Sequence, residues 1–133
     1  MTQEIAMTKK IAIPTEDGVH VAGHAGQARH WLIYGRADDD APPARIELDK
    51  PQILHHWKGD GPHPLDGVDV MIATSAGDAF VRRMAKRGVE VILTAERDAA
   101  RAAAAVRTGQ RLPKPPFNHH LLLCKLRDLF SRH

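Results

Sequence analysis

Nine histidines against one cysteine set the chemistry open to this 133-residue chain. Five of the histidines fall in three short places: His55 with His56, His63, and His119 with His120. A lone thiol, Cys124, excludes an intrachain disulfide framework and a thiolate-only metal site within one chain, so a metal must rest on imidazole or carboxylate. His55, His56 and His63 lie near Trp57 and Asp60 in a glycine- and proline-rich stretch, a set that could hold zinc, nickel or iron. The spacing H-H-x6-H matches no established metal signature, and a solvent-exposed loop without metal is the plainer alternative. In the tail, His120 and Cys124 share one face if the segment is helical, and that helix could equally pack on its own domain or on a second copy.

Ser75, Ala76 and Gly77 follow an apolar run and precede a helical one, where open α/β sheets receive ligands. Their amides suit an anionic cluster or a phosphate, and an ordinary capped helix is the alternative. Hydrolase chemistry has little to rest on. Ser75 lacks the G-x-S-x-G elbow, and Cys124 sits in a tail rather than after a core strand. The charge balance, 19 Lys+Arg against 16 Asp+Glu, gives +3 with the basic residues dispersed, which argues against nucleic acid as a partner. No apolar run approaches the roughly 20 residues that cross a bilayer, and the first ten residues show no signal-peptide pattern, so a cytoplasmic protein is expected.

The elements that must position these groups follow from periodicity. Ile11-Ala12-Ile13 before Pro14, and Trp31-Leu32-Ile33-Tyr34, are short β-branched or aromatic runs of the buried-strand type. Arg45-Ile46-Glu47-Leu48 alternates polar with apolar as a half-buried strand does, completing an antiparallel meander. Residues 51–67 carry too many breakers for a regular helix and read as a long loop with at most one helical turn. Residues 68–73 form a strand. The S-x-x-D pattern from Ser75 to Asp78 then predicts a serine-capped helix bearing Phe80, Val81 and Met84 on one face, with Arg82, Arg83, Lys86 and Arg87 in water. Gly88 closes it, and residues 89–94 give the next strand, a β-α-β unit. The alanine-rich stretch 98–108 predicts a second helix ending at Gly109.

Several stretches, taken in order, resemble the dinitrogenase iron-molybdenum cofactor-binding family over residues 10–110. They are the first strand followed by Asp17-Gly18-Val19, then His24-Ala25-Gly26-Gln27-Ala28-Arg29 leading into the second strand, then Leu65-Asp66-Gly67-Val68 entering the fourth, and finally Gly77 through Met84 to Gly88-Val89-Glu90-Val91. The family carries His-Phe-Gly before the second strand; here Ala25 replaces the aromatic while His24 and Gly26 stay. Cluster-bearing members often place cysteines in their loops, and residues 1–123 hold none. The resemblance implies a ribonuclease H-like mixed α/β sheet of five strands, agreeing with the meander and β-α-β unit. It also implies a non-catalytic protein that binds or carries a preformed iron-sulfur or iron-molybdenum cluster, with nitrogenase or cofactor-assembly proteins as partners. A cluster brings its own sulfides and needs one or two imidazoles and hydrogen-bond donors. His24, Gly26, Ser75, Ala76 and Gly77 are the expected contacts; zinc or another divalent metal on His55, His56 and His63 ranks second.

A nuclease of the ribonuclease H type would need a carboxylate on the first strand, which has none. The expected organisation is a disordered N-terminus at 1–9, the family domain at 10–110, and a proline-rich linker with an amphipathic helix at 111–133. The stripe Leu122, Leu126, Leu129 and Phe130 keeps an interaction module, or a homodimer through that helix, as the rival reading.

Overall fold

The computed structural model describes residues 9–35, 42–59 and 61–115. The expectations placed on residues 1–8, on Asp60 and on the tail from residue 116, including His119, His120, Cys124, the amphipathic helix and the homodimer, lie outside the described residues.

Five strands form one mixed sheet: β1 (Ile11–Pro14), β2 (His30–Tyr34), β3 (Ala44–Glu47), β4 (Val70–Ala73) and β5 (Glu90–Leu93), in the order β3-β2-β1-β4-β5. β1 pairs antiparallel with β2 and β2 with β3, while β1 runs parallel to β4 and β4 to β5. The meander and the β-α-β unit are both present. β1 and β4 are buried along their whole length, as continuous apolar strands at the centre of a two-sided sheet should be.

Period-two alternation divides the core. Ile11, Ile13, Val70 and Ile72 face helix α2 (Ala99–Arg107), whose Ala99, Ala102 and Ala103 are buried against them. Ala12, Met71 and Ala73 face the other way, toward Phe80 and Met84 of helix α1 (Asp78–Lys86) and the fully buried Trp31. Small alanines on α2 lie against branched strand residues, and the large Phe80 and Met84 of α1 lie against Ala12, Met71 and Ala73.

Both helices end in the same device. Gly88, at φ 82, donates to Ala85 O, and Val89 donates to Met84 O at 2.9 Å; Gly109, at φ 75, donates to Val106 O, and Gln110 to Ala105 O at 2.8 Å. Each pair is a Schellman closure that needs a left-handed residue. Gly88→Ala is therefore expected to lower stability by about 1 kcal/mol, read as a lower urea midpoint with an unchanged m-value.

The segment between β3 and β4 is irregular, as expected of residues 51–67, and it is its packing that departs from expectation. It is folded down rather than looped out. Lys50–Gln52 forms a 3-10 turn in which the Gln52 side chain accepts the Asp49 N–H at 2.9 Å, and Leu48, Leu54, Leu65 and Val68 are buried in the α1 layer. Apolar residues spaced among breakers let an irregular backbone bury side chains without a regular element, a pattern that periodicity does not detect. On α1, Arg82, Arg83, Lys86 and Arg87 are exposed as expected, and two of them also reach the irregular segment: Arg83 donates to Leu54 O at 2.6 Å, and the Arg87 guanidinium lies 4.2 Å from the Trp57 ring centroid. These two arginines strap the irregular segment to the helix. Arg87→Ala is expected to cost about 0.5–1 kcal/mol, the scale of an exposed cation–π contact.

Candidate functional site

The loop after β1 and the loop after β4 meet at one corner, beyond the carboxyl ends of the parallel strands. Ala22 N–H donates to Pro14 O at 2.8 Å, and Thr74 N–H donates to Ala22 O at 3.1 Å. Next along the chain, His24 N–H donates to Ser75 Oγ at 2.9 Å and Ala25 N–H to Ser75 O at 3.3 Å. Gly23 makes this contact possible: a Cβ there would stand 2.5 Å from Ser75 Oγ and 2.9 Å from Thr74 Oγ1.

The expectation that Ser75 caps α1 is corrected here. The N-cap is Gly77, with no side-chain cap, and α1 starts at Asp78. Ser75 uses its hydroxyl and carbonyl on the His24 turn instead, and the chain is still extended at Gly77, where α1 is about to begin.

His24 itself has φ 53 and ψ 52, the one non-glycine residue in the left-handed region among those described. It opens the 3-10 turn Ala25–Gln27, with Ala25 buried beneath it and its own imidazole exposed. Left-handed backbone at a non-glycine residue carries strain of about 1–3 kcal/mol and gathers at functional positions. Gly26 packs its backbone toward Phe80, 3.3 Å from where a Cβ would sit, and its carbonyl accepts the His55 N–H at 2.7 Å. The structure thus brings His24, Gly26 and Ser75 into one bonded corner, with Ala76 and Gly77 beside it and the His55 backbone attached.

The histidines of the irregular segment separate. His55 and His56 are exposed, with ring centroids 5.2 Å apart. His63 is buried, and both ring nitrogens are engaged: one with Gln52 O at 2.6 Å, the other accepting the Leu65 N–H at 3.0 Å. Its Nδ1 lone pair and its Nε2–H both serve the fold. Among the described residues no three His, Cys, Asp or Glu side chains converge on one point.

One feature near the corner escaped the sequence. Asp17 Oδ1 accepts the N–H groups of Val19 and His20, both at 2.8 Å, and its Oδ2 lies 2.5 Å from His20 Nδ1. The D-G-x-H spacing marks a turn, and nothing in it says that the imidazole folds back on the carboxylate. The His20 ring, then the His20 and Val19 amides, hold the Asp17 carboxyl well below the ordinary carboxylate range. With the folded value depressed, the stabilisation is present above the unfolded value of about 4 and is lost as pH falls through the folded one. Asp17→Asn, which keeps the turn's acceptor, is expected to flatten that part of the acid limb in urea midpoints taken from pH 6 to 2.5.

A cavity of about 530 Å³ opens at the opposite end of the sheet, with Trp57, His63, Asp66, Met84 and Arg87 among its walls. Its polar groups are engaged in the fold, as the His63 and Arg87 contacts above describe, and Asp66 accepts the His63 N–H at 2.8 Å.

The sequence profile of the dinitrogenase iron-molybdenum cofactor family matches residues 7–109. The chain belongs to that family. Among solved structures, a crystal structure described as PH0822 superposes with a TM-score of 0.61 at 18% identity, covering 77% of this chain and 93% of that one. An NMR structure of a Thermotoga protein (TM1290), described as NifB-like and of the DUF35 family, gives 0.53 at 20% identity, over 84% and 97% of the two chains. At these identities the likeness is one of fold. Among curated proteins none matches. For a member of the cofactor family, the described residues offer imidazole and backbone amides but no thiolate. No helix among them is long and apolar enough to cross a membrane.

Proposed function

We propose that this protein is a non-catalytic carrier that holds an iron-sulfur or iron-molybdenum cluster as cargo at the His24 corner and passes it between nitrogenase-related assembly partners in the cytoplasm. The observation that carries the reading is His24: an exposed imidazole on a left-handed backbone position, fixed from behind by Ser75. A group that only satisfied a turn would cost less as glycine, so the imidazole is what the strain retains.

A cluster needs few protein ligands because its metals are already bridged by sulfide. In this reading His24 supplies one imidazole to an iron or molybdenum. The backbone of residues 75–77 and the uncapped first turn of α1 offer N–H groups to its anionic sulfide surface. Gly26 keeps the turn thin, and His55 and His56 stand as exposed imidazoles on the adjoining segment. Asp78 in the first turn of α1 opposes an anion there, so the binding is moderate, as transfer of cargo requires. The strand order supports a ribonuclease H-like assignment, while β1 carries no carboxylate for metal-dependent nuclease chemistry.

The experiment is anaerobic purification followed by iron-sulfide reconstitution, measuring iron, acid-labile sulfide and visible charge-transfer absorbance for the wild type and His24→Ala. Iron and sulfide retained by the wild type alone support the carrier. Equal content in both variants removes His24 from the site, and metal-free protein in both overturns the function.

A further inference from the structure

We propose that His20 and Asp98 form a binding site for a single divalent cation of the zinc, cobalt or nickel class, distinct from the His24 corner and oriented by Asp17. The backbone frame is fixed. His20 and Asp98 are partners in an isolated antiparallel bridge, flanked by Val21 N–H to Arg97 O at 2.8 Å and Ala99 N–H to Val19 O at 3.0 Å. That bonding pattern makes them a non-hydrogen-bonded pair, whose Cα atoms stand about 4.5 Å apart with both side chains on one face.

The imidazole is already oriented. Its Nδ1 lies 2.5 Å from the Asp17 carboxylate, which leaves Nε2 as the ring nitrogen available to an ion. Asp17 is in turn locked by the Val19 and His20 amides. A carboxylate that orients a histidine through its far nitrogen is the recurrent outer shell of metal-binding imidazoles. The ring is about half exposed, at 55%, so an ion can reach it.

Asp98 supplies the oxygen ligand. One oxygen, Oδ1, accepts the Arg101 N–H at 2.9 Å as the N-cap of α2, which fixes the carboxylate and leaves Oδ2 unengaged among the described residues. The cationic neighbour is drawn aside: the Arg101 guanidinium is 3.9 Å from Glu96 Oε1. Thr15 Oγ1 accepts the Gly18 N–H at 2.9 Å and donates to Asp17 Oδ1 at 3.4 Å, which braces the carboxylate that orients the ring. One nitrogen and one oxygen leave the remaining coordination positions to water. This suits borderline ions that accept mixed N and O donors, and it disfavours magnesium and calcium, which want oxygen alone.

The test is titration of the full chain with Zn²⁺, following the histidine ring signals by NMR. The His20 ring is expected to shift first. His20→Ala should weaken the first binding event by about tenfold or more, and Asp17→Asn by about tenfold, the usual effect of losing an outer-shell carboxylate. Asp98→Asn keeps the helix cap and removes the charge, so it should weaken binding several-fold with an unchanged urea midpoint. If His20→Ala is poorly folded, the wild-type ring shifts and Asp98→Asn still decide. A first event that moves His24, His55 or His56 while His20 stays still, or an affinity unchanged in Asp98→Asn and His20→Ala, overturns the site. Because Zn²⁺ alone is the probe, the result does not depend on cluster loading at His24.

Discussion

Replacing His63 by alanine is expected to lower the stability of the domain by about 2–4 kcal/mol, while His55→Ala and His56→Ala each stay within about 0.5 kcal/mol of wild type. His63 is 7% exposed and its ring bridges two backbone groups, the half-buried Gln52 O and the buried Leu65 N–H, which have no other partner among the described residues. Alanine leaves both orphaned and removes the ring that lies 4.5 Å, centroid to centroid, from Trp57. The orphaned polar groups cost about 1–3 kcal/mol and the lost packing adds to that. Urea unfolding of the three single variants reads this directly. A His63→Ala protein as stable as wild type would mean that the ring does not organise the irregular segment. The consequence for metal work is practical: a variant lacking all three histidines loses metal through unfolding, so His55 and His56 must be tested with His63 intact.

The sheet was legible because its central strands are fully buried and its helices are punctuated. Ile11-Ala12-Ile13 and Val70-Met71-Ile72-Ala73 are short, apolar and bounded by breakers, and Gly88 and Gly109 mark both helix ends by the left-handed closure they permit. Strand and helix ends moved by a residue or two, as with β4, which starts at Val70 after Asp69 accepts the Lys10 N–H at 2.8 Å. Such a contact joins residues 59 positions apart, and no local pattern contains it.

The candidate corner was legible in its members and not in their roles. His24, Gly26 and Ser75 stand out by type and by order along the chain, yet Ser75 looked like a helix cap because the S-x-x-D pattern is local. Its real partner, His24 N–H, lies 51 residues away. The same limit hid the value of Gly23, whose missing Cβ admits Ser75 Oγ, and the opposition of His20 to Asp98 across a single bridge. His63 went the other way. A histidine among glycines and prolines suggests solvent or metal, and the ring's two buried bonds arise only once Leu54, Leu65 and Val68 have drawn the segment onto α1.

His24→Gly should separate the backbone of the corner from its imidazole. Glycine takes φ 53 without the strain that histidine bears there, so the variant is expected to fold at least as well as wild type, with a urea midpoint equal or raised by the equivalent of up to about 1 kcal/mol. His24→Ala keeps the left-handed cost and should match wild type in stability. Both variants retain the N–H that donates to Ser75 Oγ, so the corner keeps its shape. If the imidazole holds the cluster, both lose iron and sulfide by about tenfold or more, the scale of one charge-assisted anchor. Loading kept by His24→Gly would assign the strain to loop geometry and remove the imidazole from the site. Stability gained together with cargo lost would identify His24 as a position where this domain gives up folding energy to hold a ligand, the usual sign of a working site in a marginally stable protein.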